Sequence, residues 1–182
     1  MTRTGIFGGS FNPIHNGHIA LARQMLTIAG LDEVWLMVSP QNPLKQGEPD
    51  LLADTKRMTM ARMAVENECG IVASDYEMQL PRPSYTWNTL QHLSHDFPER
   101  VFTLLIGGDN WAHFERWRRW KDILRGYRVV AYPRGEYPGT IEARLLDISS
   151  TEIRRRISRG ESISGMVPAS VEQFIRRERL YV

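Results

Sequence analysis

The apolar positions along the chain predict alternating strands and helices. Short apolar runs, typical of buried strands, occupy 5–7, 34–38, 71–73, 101–106, 127–132 and 145–148. Between these runs apolar residues recur at helical spacing, as they do at Ile19, Leu21, Ala22, Met25 and Leu26. Strands that alternate with helices favour an α/β fold with a Rossmann-like, doubly wound, mainly parallel sheet and helices on both faces.

Turn residues and capping residues divide this pattern into elements. The predicted helix boundaries lie at Gly30, Asp54, Ser84 or Tyr85, Pro98, Ser149–Thr151 and Pro168. Four aromatic residues are spaced like the stripe of one further helix, for which core packing is the favoured explanation: Trp111, Phe114, Trp117 and Trp120.

The composition is that of an ordinary globular protein, with 42% hydrophobic and 24% charged residues. The 182 residues are expected to form one domain, 1–182, whose last ~35 residues make a helical C-terminal part. A formal net charge of +2 does not by itself predict nucleic-acid binding, although arginines cluster at 116–128 and 154–159. The single Cys69 excludes an internal disulfide, and the lack of a signal pattern or a long apolar run favours a cytoplasmic protein.

The stretch GGSFNPIHNGHI, at 8–19, follows the first predicted strand and precedes the first predicted helix. Gly8 and Gly9 let the backbone approach a ligand closely, and a helix N-terminus offers unpaired N–H groups to phosphate. His15 and His18 are three residues apart, so both imidazoles can share one helical face and donate to phosphate oxygens. Taken alone, the stretch is more typical of a structural turn with two exposed histidines.

Four loops follow predicted strands and are expected at one edge of the sheet, where ligands bind in such folds. They are the 8–18 stretch, the 39–45 loop, the Gly107–Asp109 turn and the Ser149–Thr151 helix start. Glycine turns, helix N-termini, imidazoles and lysine all bind phosphate oxygens, whereas few of these groups serve as nucleophiles. The sequence has no Walker A loop, no G-x-G-x-x-G turn after the first strand and no acidic cluster. These observations favour phosphoryl or nucleotidyl transfer by positioning and charge neutralisation.

Two of these segments, GGSFNPIHNGH and ISSTEIR, together resemble the motifs of the HxGH nucleotidyltransferase family, in which both close over ATP. Three further segments, SPQNPLK, SYTWNTL and GGDNWAHFERW, are similar to those of the bacterial members that act on nicotinate mononucleotide. The resemblance covers nearly the full length and places ISSTEIR in the helical C-terminal part. It implies transfer of AMP from ATP to nicotinate mononucleotide, which gives nicotinate adenine dinucleotide and pyrophosphate in NAD biosynthesis.

The resemblance also implies roles for individual residues. The implied catalytic residues, which contact the ATP phosphates, are His15, His18, Lys45 and Arg154. The other implied ATP-binding residues are Gly8, Gly9, Ser10, Phe11, Gly107, Asp109, Ile148, Ser150 and Thr151. The implied residues for the pyridine mononucleotide are Thr86, Trp87, Trp117 and Arg134. Core packing for Trp117 and an ordinary loop position for Arg134 are the alternatives.

Mg²⁺ is the implied cofactor, held through phosphate oxygens and water rather than by a protein cage. The implied partners are ATP and a pyridine mononucleotide; nucleic acid and membranes are not expected, and a homo-oligomer is compatible with the sequence. The chain departs from the family pattern at three places. Asn12 replaces a frequent aspartate, Arg118 replaces an aromatic residue, and no histidine directly precedes Lys45.

Three other functions are open at this point. An adenylyltransferase of the same family acts on nicotinamide mononucleotide or phosphopantetheine, although the phosphopantetheine enzymes tend to be shorter and to lack SYTWNTL. The second is a non-catalytic nucleotide sensor. The presence of His15, His18 and Arg154 argues against it, because a sensor does not need donors to a transition state. An RNA-binding module would use the arginine clusters, which the low net charge argues against.

Overall fold

A parallel five-stranded sheet forms the centre of the protein. The computed structural model describes residues 1–40 and 51–182, so Lys45 lies outside the described residues. The strands are β1 (Thr2–Gly9), β2 (Glu33–Val38), β3 (Ile71–Ser74), β4 (Arg100–Gly107) and β5 (Arg128–Tyr132). The α-helices are α1 (Asn16–Ile28), α2 (Asp54–Val65), α3 (Thr86–Asp96), α4 (Gly108–Ala112), α5 (Trp120–Gly126), α6 (Ser150–Ser158) and α7 (Ala169–Arg177). Short 3₁₀ turns occupy Tyr76–Gln79 and Phe114–Arg116.

The strand order is β3-β2-β1-β4-β5, and all four strand pairings are parallel. The central strand is β1, with Ile6 opposite Trp35 of β2 and Leu104 of β4. The chain moves outward from β1 to β3 and then crosses back to β4, so the order reverses between β1 and β4. Ligands of such sheets bind outside the carboxyl ends of the strands at this reversal, where β1 ends in Gly9 and β4 in Gly107.

Alternate side chains of the strands pack into two apolar layers. On one face, Phe7 and Leu36 pack with residues of α1, α2, α6 and α7. On the other face, Ile6 and Leu104 pack with residues of α3 and α5. The sheet is therefore covered on both faces, which confirms the predicted Rossmann-like, doubly wound architecture.

Several predicted helix boundaries agree with the structure. Gly30, with a φ of +63°, follows the end of α1. Tyr85 is the N-cap of α3, and Pro168 is the N-cap of α7. Gly30 suits the end of α1 because glycine adopts a positive φ readily, whereas Tyr85 and Pro168 precede their helices with extended backbone.

The predicted strand at 145–148 is wrong, because this stretch is irregular. Leu145 and Leu146 are exposed rather than buried. The backbone of Arg144 bonds in both directions to the side chain of Gln24 on α1, at 2.7 and 2.8 Å. These bonds fix the backbone just before the predicted strand to helix α1.

The single aromatic helix predicted over 111–120 is also wrong. Trp111 lies in α4, Phe114 in a 3₁₀ turn and Trp120 at the start of α5. The backbone of Trp117 is extended, and Arg119 adopts a left-handed φ of +57°. The spacing explains the error: a strict spacing of three drifts by about 60° per step on an α-helix, so no continuous stripe forms.

Candidate active site

The start of α1 holds His15 and His18 in a reciprocal arrangement. His15 is the N-cap, and its Nδ1 accepts a hydrogen bond from the Gly17 N–H at 3.1 Å. In return, His18 Nδ1 accepts one from the His15 N–H at 3.2 Å. The two rings stack with their centroids 3.6 Å apart. This is a capping box made of imidazoles in place of the usual hydroxyl and carboxylate.

These hydrogen bonds fix the tautomer of each neutral ring. Because each Nδ1 accepts from the backbone, the neutral ring carries its hydrogen on Nε2. Burial, followed by the positive charge of Arg134, lowers the pKa of His15 to about 4. Burial, followed by His15 and Arg134, lowers the pKa of His18 well below its ordinary value. Near pH 7 both residues are therefore neutral Nε2–H donors, which suits phosphate oxygens.

A side chain would have a different consequence at each glycine of the turn. A Cβ at Gly17 would lie 2.9 Å from the His15 ring, closer than real side chains come. A Cβ at Gly8 would meet nothing within 4 Å, and this residue lines an open cavity. Gly9 packs against the buried ring of Phe11, which would lie 3.1 Å from a Cβ there. Phe11 itself has a left-handed φ of +46°. Its ring is buried in the core and supports the turn from there.

The ISSTEIR segment contacts this turn, although 137 positions separate Ser150 from Pro13. The Ser150 hydroxyl donates to the Pro13 carbonyl at 2.8 Å. Arg154 Nη1 donates to the Asn12 carbonyl, also at 2.8 Å. The N-terminal turn of α6 therefore faces the turn that carries the two histidines, as expected for two motifs that share one ligand.

The start of α6 has the predicted cap. The Ser149 hydroxyl accepts a hydrogen bond from the α6 backbone at 3.1 Å. Thr151 and Arg154 line a cavity beside the contact with the turn, called here the α6 cavity. The Ile148 carbonyl lies 3.7 Å from the position that a Gly17 Cβ would occupy. Ile148, Ser150 and Arg154 therefore lie against the histidine turn, whereas Thr151 lines the α6 cavity.

A second cavity, of about 170 Å³, opens at the carboxyl ends of β1 and β4 and is called here the β1–β4 cavity. Of the predicted site residues, it is lined by Gly8, Gly9, Gly107, Thr86, Trp117 and Arg134. The first turn of α3 forms one wall, and its N-cap Tyr85 makes no side-chain capping bond. Two buried wall atoms, the Ser84 Oγ and the Trp117 Nε1, have no hydrogen-bond partner among the described residues. This wall suits a ligand with an anionic group and a flat ring.

Arg134 links the β1–β4 cavity to the histidines. It lines that cavity, and its charge contributes to the lowered pKa of both imidazoles. Its Nε lies 3.7 Å from Oδ2 of Asp109. Asp109 folds back over Gly107, where a Cβ would lie 2.4 Å from Oδ1. That Oδ1 is buried and accepts no hydrogen bond from the described part of the chain.

Trp87 is the predicted substrate residue whose side chain lies elsewhere. Its ring packs edge-on against Tyr127 at 6.3 Å and beneath the Arg119 guanidinium at 4.6 Å. Trp87 is not among the residues that line the β1–β4 cavity, although Tyr85 and Thr86 beside it are. Arg118 does line the β1–β4 cavity, where its guanidinium lies 5.0 Å from the centre of the Tyr85 ring.

Arg57 of α2 is a residue that the sequence reasoning missed. Its side chain is fully buried, and burial lowers the pKa of its guanidinium. It donates to the carbonyls of Ser10 at 2.6 Å, Ser39 at 2.8 Å and Leu52 at 2.9 Å. It also pairs with Asp54 at 2.6 Å. Arg57 thereby fixes the end of the glycine turn to the segments around β2 and α2. Its sequence signal is weak: an arginine among apolar positions of a helix.

Glu77 is a second missed residue. It is buried, lines the β1–β4 cavity and bonds to the hydroxyls of Ser39 and Thr89, the latter at 2.8 Å. Burial raises the pKa of its carboxyl. Glu77 therefore connects the end of β2 to α3 and fixes one side of the cavity.

Two negative findings apply to the described residues, 1–40 and 51–182. No three His, Cys, Asp or Glu side chains there come together as a metal site. No helix there is long and apolar enough to cross a membrane.

Members of both arginine clusters are ion-paired. Arg119 pairs with Asp122, and Arg155 and Arg156 pair with Glu152. This pairing leaves less positive charge for RNA than the sequence indicates.

Known proteins match the chain along most of its length. The family model described as cytidylyltransferase-like matches residues 6–156. A probable nicotinate-nucleotide adenylyltransferase of Bacteroides thetaiotaomicron is 41% identical, over 96% of this chain and 91% of that protein. The chain belongs to the nicotinate-nucleotide adenylyltransferase family. A further probable member, from Flavobacterium johnsoniae, is 37% identical over 98% of both chains. The resemblance drawn from the two motifs is confirmed.

Solved structures of other proteins share the fold of this chain. The Plasmodium falciparum nicotinic acid mononucleotide adenylyltransferase complexed with NaAD has a TM-score of 0.81 at 18% identity. The match covers 100% of this chain and 98% of that one. The same enzyme complexed with APC gives a TM-score of 0.80. At this identity the likeness concerns the fold, and it agrees with the doubly wound sheet described above.

Proposed function

We propose that the protein transfers AMP from ATP to nicotinate mononucleotide, releasing nicotinate adenine dinucleotide and pyrophosphate in NAD biosynthesis. The observation that carries this proposal is the contact of α6 with the histidine turn, beside the β1–β4 cavity. Ser150 and Arg154 bond to the turn that holds the paired imidazoles. A triphosphate laid along this contact meets donors from both motifs, while the cavity receives a second nucleotide. The activity named for the relatives supports the same reaction.

The reaction needs no nucleophile from the protein. An oxygen of the mononucleotide 5′-phosphate forms a bond to the α-phosphorus of ATP, while the bond from that phosphorus to the α–β bridging oxygen breaks. Pyrophosphate leaves with the bonding electrons. His15 and His18 donate from Nε2 to oxygens on which negative charge increases, and Ser150, Thr151 and Arg154 hold the leaving pyrophosphate. Neutral imidazoles serve here because no proton has to be transferred.

The nucleotide contacts follow from the same geometry. The backbone of the glycine turn, Gly8–Ser10, approaches the ATP phosphates, because the space beyond Gly8 is open. Asp109 accepts a hydrogen bond from a ribose hydroxyl, which satisfies its buried Oδ1. Arg134 binds the phosphate of the mononucleotide, because it lies between the β1–β4 cavity and the imidazoles. In this position it brings the attacking oxygen beside the α-phosphorus.

The acid substrate is favoured over its amide by the wall of the β1–β4 cavity. Backbone N–H groups at Thr86 and Trp87, in an α3 turn without a side-chain cap, favour a carboxylate. The Trp117 ring lies against the pyridine, and its buried Nε1 gains a partner on the ligand. A neutral amide gains less from the positive end of a helix.

Mg²⁺ is the metal proposed for this reaction. The described residues offer hydroxyl, imidazole and guanidinium donors and bring no three potential ligands together. Such a donor set fits an ion that is held by phosphate oxygens and water, which Mg²⁺ favours. When bound, it neutralises charge on the triphosphate.

A coupled pyrophosphate-release assay with three acceptors tests the proposal. With ATP and Mg²⁺, we expect turnover on nicotinate mononucleotide and a clear excess of its kcat/KM over that of nicotinamide mononucleotide. Phosphopantetheine is expected to give no turnover. Preference for the amide would contradict the role of the α3 turn, and turnover on phosphopantetheine alone would assign the other branch of the family. Tight ATP binding without turnover on any acceptor would indicate a nucleotide sensor.

A further inference from the structure

We propose that Tyr181, which follows α7, is a positioning residue for the histidine turn. The inference rests on the proposed use of ATP and assigns to that site a residue outside both motifs. The Tyr181 hydroxyl donates to Oδ1 of Asn12 at 2.8 Å, across 169 positions of the sequence. The carbonyl of the same Asn12 accepts Arg154 at 2.8 Å. One residue of the turn therefore connects α6 with the segment after α7.

The segment after α7 is shaped to bring this hydroxyl to the turn. Arg179 and Tyr181 adopt left-handed backbone angles, with φ of +49° and +63°. Such angles are strained for residues with side chains and persist only where packing compensates for them. Between them, Leu180 is buried in the core layer, and its N–H bonds to the Ile175 carbonyl at 3.0 Å. The packing of Leu180 thus holds Tyr181 in one place.

Tyr181 also forms part of the wall of the phosphate side. It lines the α6 cavity together with Thr151 and Arg154. Burial raises the pKa of its hydroxyl, although the charges of Arg154 and Arg57 act in the opposite direction. The hydroxyl therefore keeps its proton at neutral pH and remains a donor to Asn12.

Tyr181 and the Leu52 N–H both donate to Asn12 Oδ1, and the bond from Tyr181 is the shorter. The bond from the Leu52 N–H measures 3.3 Å. Loss of the hydroxyl removes one of the hydrogen bonds that restrain the Asn12 side chain. Because the Asn12 carbonyl is the docking point of Arg154, a looser Asn12 misplaces the guanidinium that holds the leaving phosphates.

Tyr181→Phe removes this hydroxyl and little else. Calorimetric titration with an ATP analogue whose α–β bridging oxygen is a methylene group is expected to show binding about threefold to tenfold weaker, the effect of one hydrogen bond. The KM for nicotinate mononucleotide is expected to change by less than about twofold. Tyr127→Phe is the matched control, because its hydroxyl donates to the Leu90 carbonyl at 3.0 Å on the other face of the sheet. We expect that variant to bind the analogue as the wild type does.

A double-mutant cycle with Asn12→Ala tests the route of the effect. If Tyr181 acts through Asn12, adding Tyr181→Phe to Asn12→Ala changes the affinity for the analogue by less than about twofold. Wild-type affinity in Tyr181→Phe overturns the inference, and so do additive effects in the cycle. If the proposed function fails instead, the wild type binds the analogue but transfers AMP to none of the three acceptors. A wild type that does not bind the analogue overturns both.

Discussion

Gly17→Ala is the substitution for which helix propensity and this structure predict opposite results. Gly17 is the second residue of α1, where alanine ordinarily stabilises a helix by about 0.4–1 kcal/mol. Here the new Cβ would lie 2.9 Å from the Cε1 and Nδ1 atoms of His15. Comfortable carbon contacts begin near 3.5 Å, so the ring or the start of the helix has to move by roughly 0.6 Å.

The His15 ring has little room for this movement. It is buried and stacks on His18 at 3.6 Å. Displacing a packed ring costs about 1–3 kcal/mol, and weakening the N-cap costs about 1 kcal/mol more. Against a gain of at most about 1 kcal/mol, we expect the free energy of unfolding to fall by about 1–4 kcal/mol. In a chain of this size that lowers Tm by about 2–14 °C.

Activity is expected to fall more steeply than stability. Both imidazole donors sit in the capping box that the new methyl group disturbs, and misplacing catalytic groups by 1 Å costs about a hundredfold in rate. A displacement of about half that size predicts a loss of roughly tenfold in kcat. Scanning calorimetry and the pyrophosphate-release assay measure the two effects. Gly126→Ala, at the end of α5 with nothing within 4 Å of its Cβ, is the matched control. A Gly17→Ala protein that melts as high as this control and keeps more than half its kcat would refute the reasoning.

Three further outcomes are expected. At pH 6 the imidazole ¹⁵N shifts of His15 and His18 are those of neutral Nε2–H rings, since burial lowers both pKa values. In the unfolded state both imidazoles have their ordinary pKa, so they bind protons at a higher pH than the folded rings do. The free energy of unfolding therefore falls from about pH 6.5 towards pH 4, by up to about 1.4 kcal/mol per pH unit for each ring. Arg57→Met lowers the free energy of unfolding in urea by about 3–5 kcal/mol, because buried partners lose a charged donor. Trp117→Leu raises the KM for nicotinate mononucleotide about tenfold through lost ring contact, with ATP affinity unchanged.

Matched measurements decide each of these outcomes. Arg62→Met removes an exposed arginine of the same helix, paired with Asp75 at 2.9 Å, and is expected to cost less than about 1 kcal/mol. Equal losses for Arg57 and Arg62 would contradict the anchoring role. A midpoint near 6.5 in the imidazole titrations would contradict the buried stacked pair. An unchanged KM in Trp117→Leu would return this tryptophan to core packing alone.

The sequence predicts the fold well where a pattern has one structural solution. The five apolar runs that form strands each have a strand beside them in the sheet. The run at 145–148 is also apolar but pairs with no strand among the described residues, and Arg144 just before it bonds to the Gln24 side chain of α1. No local pattern distinguishes these two cases, because Gln24 lies 120 positions away from Arg144.

The site is only partly predictable for the same reason. The two motifs were expected at one edge of the sheet because each follows a predicted strand. The Ser149–Thr151 segment follows no strand, and it reaches the site because Ser150 and Arg154 bond to carbonyls of the histidine turn. Arg57 and Tyr181 bond to backbone carbonyls and to an amide side chain, and such partners leave no periodic signal in a sequence.

The two apolar layers bear on the stereochemistry of the reaction. Most apolar residues that line the β1–β4 cavity, such as Ile6 and Leu104, belong to one layer, although Leu105 and Tyr132 of the other layer also line it. Helix α6, which carries Arg154, packs through Ile153 on that other layer. With the acceptor in this cavity and the pyrophosphate at α6, as proposed above, we expect the entering and leaving oxygens on opposite sides of the α-phosphorus. Each turnover is then a single displacement. ATP bearing sulfur at the α-phosphorus, in one diastereomer, is expected to give a dinucleotide of inverted configuration.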